Sequence, residues 1–367
     1  MNREVQAGIL EERAKVVGVL WQKVFDNPEV FLIQVPFRNV VTTETNVYVI
    51  RSANEVLIVD LGAPTEAAAQ ALLCALDEIG VDLAHASIFF THMHYDHAGL
   101  ACKLPLCGNA IYLNEHELRA SEPSFEKEMS EYVTDRFQRE GMSSSQAAEV
   151  GAPIEIATPI SACVDHVELM QDGDVFSVGS YVFEVVDLPG HTRGMQGLYQ
   201  PNTGLFFAGD QLLFLITPSI GLFLDGSDSF AAYERSMSKL LSLDITYLYH
   251  SHGAIRRDFR DRAEAILKAR HRRCDEVVDI IEEANASGYQ PTGIEVIERI
   301  GWRIPFPRIA DCDIRQQWLI YTQGVALLDH LTFVQRICRT SESALVGNAF
   351  MTNRYSLPRL VDNTYLS

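Results

Sequence analysis

The residues with the clearest chemical capacity stand together at Thr91-His92-Met93-His94-Tyr95-Asp96-His97-Ala98-Gly99. Imidazole and carboxylate are ligands for zinc, iron and manganese. His92 and His94 suit one ion, and the adjacent Asp96 and His97 point at a second. So dense a polar group, directly after an apolar run, is costly to bury without a ligand to satisfy it. A coincidental surface cluster accounts poorly for an HxHxDH run.

Three further candidates lie downstream: His191 after Pro189-Gly190, Asp210 after Gly209, and His252 before Gly253. Each alone is weak, reading equally as a turn residue, a helix cap or a loop histidine. They gain force jointly, because each follows a strand-like run. Tyr181 to Val186 leads into His191, Gly204 to Ala208 into Asp210, and Thr246 to Tyr249 into His250-Ser251-His252. Ala86 to Phe90 likewise leads into Thr91-His92. Strand ends on one sheet edge are where side chains from distant sequence converge.

The remaining elements must carry that edge. Residues 8–25 place Leu10, Val17, Leu20, Trp21 and Val24 at helical spacing and predict a helix. Phe31 to Val35, Asn46 to Ile50 and Val56 to Val59 read as strands, the last ending at Asp60-Leu61-Gly62. Thr65 to Ile79 reads as a helix stopped by Gly80. Residues 115–160 are charged and helical, and read as an insertion serving as a lid or a dimer contact. Val167 to Leu169 and Val175 to Val178 read as strands, and Ser229 to Leu243 as a helix. Beyond 255 the chain is mostly helical, with a capping box at Thr292 and Glu295 and a helix over Gln316 to Ile337. This divides the chain into a catalytic domain, 1–255, and a helical C-terminal domain, 256–367.

The net charge of −19 over 367 residues disfavours nucleic acid and anionic membranes as partners. A small-molecule substrate is expected, with a homodimer as one assembly the insertion could build. The seven cysteines, Cys74, Cys102, Cys107, Cys163, Cys274, Cys312 and Cys338, are odd in number and irregularly spaced. They predict free thiols in a reducing compartment rather than a disulfide framework. The first residues lack an apolar signal core, and the apolar stretch Gln211 to Leu224 is too short to span a bilayer. The expectation is a soluble, cytoplasmic protein.

His92-Met93-His94-Tyr95-Asp96-His97 resembles the HxHxDH motif of the metallo-β-lactamase superfamily. Leu188-Pro189-Gly190-His191-Thr192, Phe207-Ala208-Gly209-Asp210, Ser251-His252-Gly253 and Val59-Asp60-Leu61-Gly62 resemble its other motifs, in order, over roughly residues 30–255. The resemblance implies an α+β fold, an αββα four-layer sandwich with a small helical C-terminal domain. That last part resembles, more loosely, the winged-helix-like domain of glyoxalase II-like and lactamase-like hydrolases. The resemblance also implies two divalent metal ions, zinc foremost, with iron or manganese as alternatives. His92, His94 and His191 would hold one, Asp96, His97 and His252 the other, with Asp210 bridging and Asp60 orienting ligands. One departure is Leu100, where many glyoxalase II-type enzymes carry a second glycine.

The chemistry implied is hydrolysis of a thioester or lactone by a metal-bridging hydroxide, with Asp96 or Asp210 accepting the proton. The same site could cleave phosphodiesters, and a non-catalytic metal-binding regulatory protein is the alternative from outside enzymology. Several other residues stay open between function and packing. The run Arg256, Arg257, Arg260, Arg262, Lys268, Arg270, Arg272 and Arg273 could bind coenzyme phosphates, but reads better as a salt-bridged helix face. Tyr95 and His116 could touch substrate, or serve only as packing and surface residues; His250 is expected to face away from the metals. Phe214, Ile216, Phe223 and Leu224 could wall an acyl pocket or belong to the core.

Overall fold

Short β-branched and aromatic runs build two sheets. The computed structural model describes residues 21–37, 42–106, 108–152, 157–164, 166–343 and 351–358. Seven strands form the first sheet in chain order: β1 (Trp21–Phe25), β2 (Glu29–Pro36), β3 (Glu44–Ser52), β4 (Glu55–Val59), β5 (Ser87–Phe89), β6 (Ile111–Leu113) and β7 (Glu168–Leu169). The second sheet comprises β8 (Val175–Val178), β9 (Tyr181–Asp187), β10 (Gln196–Gln200), β11 (Leu205–Phe207) and β12 (Tyr247–Tyr249), ordered β12-β11-β10-β9-β8.

The inner faces meet in a dry layer that includes Leu32, Ile50, Leu57 and Phe89 from one sheet and Phe183, Val185, Leu198 and Phe207 from the other. The outer face of the first sheet packs Ile33, Val47, Val49 and Ile58 against Leu72 and Leu76 of helix α1 (Glu66–Glu78). The fold is therefore α+β, two sheets face to face with helices outside.

Trp21 to Phe25 is the first correction. The helical spacing extended through it, but Trp21 pairs opposite Ile33 as an edge strand and its ring packs on Phe31. Pairing across the sheet overrides local periodicity. Residues 8–20 of that expected helix lie outside the described residues. Strand β10 carried no recognisable signal. All five of its residues are buried, so there is no alternation to read, and Gly197 interrupts it because a Cβ there would lie 2.7 Å from the Phe207 carbonyl oxygen.

Residues 115–150 fold as α2 (Glu115–Ala120), α3 (Pro123–Arg139) and α4 (Ser144–Val150). On the outer face of the second sheet lies α5 (Ser229–Ser242), followed by α6 (Phe259–Ala286), α7 (Gly293–Arg299) and α8 (Ile314–Phe333). The capping box at Thr292 and Glu295 is present. The last expected helix stops at Phe333, short of Ile337, and a two-stranded antiparallel hairpin follows, β13 (Cys338–Ser343) with β14 (Met351–Ser356). One continuous core joins α3, α4, the second sheet and α5 to α8.

A buried ionic network ties the insertion to the C-terminal part. Arg136 of α3 donates to both oxygens of Asp329 in α8, at 3.0 and 2.9 Å. Arg339 of β13 donates to the same carboxylate and to the Tyr355 hydroxyl. Glu140, fully buried, accepts from Tyr355 at 2.8 Å and from Asn353 at 2.9 Å, and pairs with Arg136. Two guanidiniums face two carboxylates, so charge balances only when all four are present.

The cysteine expectation also requires correction. Cys102 and Cys163 form a disulfide across 61 residues, closing the segment that carries α2, α3 and α4. No spacing rule reaches that far, because the fold, not local sequence, brings the two together. Cys274 and Cys312 are buried free thiols, Cys338 is exposed, and Cys107 lies outside the described residues. Among the described residues, no helix is long and apolar enough to cross a membrane.

Two outcomes follow. Glu140→Ala leaves the guanidinium pair one carboxylate short and should cost about 3–5 kcal/mol, read as a lowered urea midpoint. Cys102→Ser should cost up to about 4 kcal/mol by the loop-closure argument, read in the absence of reductant. Reductant should lower the wild-type midpoint towards that of the variant, and an unmoved midpoint would argue against the bridge.

Candidate metal centre

Parallel pairing aligns strand ends. β4 runs parallel to β5, and β11 parallel to β12, so each pair delivers its C-terminal residues to the same edge. Asp60 follows β4, and Thr91 to His97 follow β5. Asp210 follows β11, His252 follows β12, and His191 follows β9. All seven sequence-predicted ligands and Asp60 meet at this edge.

Their donor atoms form three groups, each spanning no more than 4.8 Å: His92, His94 and His191; His92, His97 and Asp210; and Asp96, His97 and His252. His94 Nδ1 lies 3.0 Å from both His92 Nε2 and His191 Nε2. Tetrahedral zinc with nitrogen ligands at about 2.0–2.1 Å would separate them by about 3.3 Å. Asp210 lies between the groups. Its Oδ1 is 3.6 Å from His97 Nε2 and 3.4 Å from His252 Nε2, and its Oδ2 is 3.6 Å from His191 Nε2. Asp96 Oδ2 is 3.5 Å from His252 Nε2.

Among the described residues, His97 Nε2 and Asp210 Oδ1 are buried and have no hydrogen-bond partner. An unsatisfied buried donor or acceptor is expensive, and a cation suits both atoms at once. The donor set thus fits divalent metal, with neutral imidazole and carboxylate oxygen as the ligand types.

Outer partners fix the rings. Asp60, 2% exposed and at φ 60°, receives the Thr91 amide at 2.9 Å and the Thr91 hydroxyl at 2.9 Å, and its Oδ2 lies 2.9 Å from His97 Nδ1. A buried aspartate in the left-handed region stores strain that the surrounding structure must hold. The Ser219 carbonyl lies 2.9 Å from His191 Nδ1 and the Glu44 carbonyl 2.8 Å from His252 Nδ1. Each such contact turns Nε2 towards the centre.

Sequence reasoning missed several supports. Glu117 stands in the charged insertion with no local mark of a role; it is buried, and its carboxylate accepts from the amides of Met93 and Gly194. Asn46, polar within an apolar strand, was an available signal: its amide donates to the carbonyls of His250 and Gly253. The Ser219 and Glu44 carbonyls are backbone groups, which side-chain identity cannot reveal.

The open residues now have places. His250 is buried against Phe214, outside the three donor groups, and burial pushes it down to about 4. Tyr95 packs edge-on against Phe37. Of the basic run, Arg262 donates to the Leu213 and Ile216 carbonyls, Arg270 to that of Pro218, and Arg256 pairs with Asp258. Arg262 and Arg270 thus brace the loop after Asp210.

Beside His94 and His191 opens a cavity of about 560 Å³, walled by the insertion, residues 221–225 and Trp318. Phe223 and Leu224 line it, as does His116; Phe214 and Ile216 are not among its walls.

Burial, reinforced by neighbouring imidazoles, holds His92 and His94 well below the ordinary imidazole value. Burial also lowers His191. At His97 and His252 burial works against the charged form, yet Asp210 and Asp96 outweigh it and raise both. Burial would raise Asp210, but His252 and His97 keep it well below the carboxylate range. A raised imidazole holds its proton to higher pH than a free one does, and a cation must displace that proton. Zinc binding should therefore release protons and tighten as pH rises. Calorimetry in two buffers of unequal ionisation enthalpy should give unequal apparent enthalpies; equal ones would refute the release.

The sequence model of the metallo-beta-lactamase superfamily matches residues 41–252. The chain is 22% identical over 247 residues to the lactamase-like protein aptB of Emericella nidulans, covering 66% of this chain and 62% of that protein, less than two thirds of its length. It is 26% identical over 172 residues to the acyl-coenzyme A thioesterase MBLAC2 of Homo sapiens, covering 45% and 57% of the two chains. Among solved structures, a metallo-beta-lactamase family protein from Thermus thermophilus superposes with a TM-score of 0.69 at 23% identity, covering 90% of this chain and 98% of that one. With more than half of its length matched by the family and the ligand motifs gathered at one sheet edge, this chain belongs to the metallo-beta-lactamase superfamily.

Proposed function

We propose that this protein hydrolyses a thioester or a lactone at a two-metal centre, with the acyl group seated in the cavity beside it. The observation that carries the reading is the cavity itself. It opens from His94 and His191, and Met93, Phe125, Met129, Leu222, Phe223 and Trp318 give it a largely apolar wall. Pockets of a few hundred cubic ångströms with apolar walls and a few convergent polar groups suit small acyl compounds. The relatives include an acyl-coenzyme A thioesterase and a hydroxyacylglutathione hydrolase, which agrees with this substrate class.

His92, His94 and His191 would hold one cation, and Asp96, His97 and His252 the other, with Asp210 between them. Such ions acidify a water and polarise a carbonyl oxygen. The chain's own residues do the rest. Asp60, Ser219 and Glu44 fix the imidazole orientations. Asp96, its side chain 14% exposed, is the ligand carboxylate nearer to solvent and is placed to accept the proton released on attack.

The cavity is poorly suited to a phosphodiester. Arg193 at its rim is paired with Asp225 and Arg119 with Glu128, while Glu122 and Glu126 add negative charge.

Metal-loaded protein should turn over acyl thioesters or acyl-homoserine lactones, and not a phosphodiester. Asp210→Ala should lower kcat/KM at least about a thousandfold and lose metal as well. Turnover of the phosphodiester alone would overturn the proposal.

A further inference from the structure

We propose that Glu117 is a positioning residue for the three-imidazole half of the centre, clamping the two loops that carry His92, His94 and His191 onto the insertion. Its Oε2 accepts the Met93 amide at 2.8 Å and its Oε1 the Gly194 amide at 2.9 Å. Met93 stands between His92 and His94, and Gly194 three residues after His191. One carboxylate thus spans two ligand loops that are about a hundred residues apart in sequence, a distance no local turn can bridge.

Several observations separate this role from simple packing. Glu117 is 2% exposed, and among the described residues no lysine or arginine pairs with it. Burying a carboxylate without a cation is costly, and an apolar side chain would fill the space more cheaply. What the carboxylate adds is two directed acceptors, each on a backbone amide beside the ligands. Gly194 is shaped to admit it: a Cβ there would lie 2.6 Å from Asn114 Oδ1, 2.9 Å from His116 Cβ and 3.0 Å from Glu117 Cγ. Asn114 in turn caps α2, accepting the His116 amide at 2.8 Å, so the helix start that presents Glu117 is itself fixed. Both carboxylate oxygens are engaged by amides, which sets this residue apart from proton transfer.

The effect should be one-sided. The Asp96, His97 and His252 group has its own orienting partners in Asp60 and the Glu44 carbonyl, and neither touches Glu117. Removing the clamp should loosen one half of the centre and spare the other. This inference rests on the two-cation reading; wild-type stoichiometry tests that reading, and the difference between variant and wild type tests this one.

The experiment is zinc binding by Glu117→Ala and Glu117→Gln, followed by competition with a chromophoric chelator, with no substrate present. Wild type should hold two ions. Glu117→Ala should bind one with unchanged affinity and the other about 10–100-fold more weakly. Glu117→Gln keeps one acceptor and should fall between, which preserves the test if the alanine variant folds poorly. Gly194→Ala, whose Cβ would press on Asn114, His116 and Glu117 and so push the start of α2 away without altering Glu117, should reproduce the selective loss. Equal weakening of both ions, or of neither, would overturn the clamp.

Discussion

The structure depends on one electrostatic constraint: five imidazoles and two carboxylates gather at a single sheet edge, mostly buried and short of internal partners. His97 Nε2 and Asp210 Oδ1 are left without any hydrogen bond among the described residues. Folding can tolerate such a cluster only if strong scaffolding holds it or a cation neutralises it. The scaffold is visible, and the donor set fits the cation. Parallel pairing of β4 with β5 and of β11 with β12 supplies that scaffold. Asp60 shows the cost most directly, held at positive φ so that one carboxylate can serve the Thr91 amide and the His97 ring together.

The parts of the molecule outside the sandwich follow from the same need. The loop after Asp210 carries the Ser219 carbonyl against His191, and Arg262 and Arg270 of α6 hold that loop through its carbonyls. Arg270 is buried and stacks 4.0 Å from the centre of the Tyr233 ring. Two members of the basic run, Arg262 and Arg270, are thus consumed in bracing, and Arg256 pairs with Asp258. The helical C-terminal region does not float beside the two sheets; its core is continuous with the outer face of the second sheet.

How much of this the sequence disclosed divides along physical lines. The residues that gather at the sheet edge were legible as ligand candidates because polar clusters after apolar strand runs are rare and carry their own chemical meaning. The strands β2, β3, β4, β8 and β9 were legible because alternation or β-branching marks them, and α1 because Thr65 caps it and Gly80 ends it. What stayed hidden depended on distance. The disulfide joins positions 61 apart, and β1 is a strand only because β2 lies beside it. Strand β10 is buried on both faces and so lost the pattern by which strands are read. Glu117 was hidden for the opposite reason. Its neighbours Glu115, His116 and Arg119 are exposed, so its composition is that of a solvated helix, and only the tertiary structure turns that one carboxylate inward.

That inward turn bears on how the cavity beside the cluster is built. Two parts of the cavity wall are the insertion and Trp318, and the Arg136–Asp329 and Glu140–Tyr355 contacts fasten these two into one body. Through Glu117, the same body is fastened to the ligand loops. A wall anchored in this way cannot shift far without straining the imidazoles beside it, because packed interiors transmit displacement. Cavity shape and the geometry of the imidazole cluster are therefore coupled here: a change that widens the cavity by moving α2 or α3 pulls on Met93 and Gly194, whereas one that trims a lining side chain, such as Phe125 or Trp318, does not. The cavity is more freely reshaped at those lining side chains than in the backbone of the insertion.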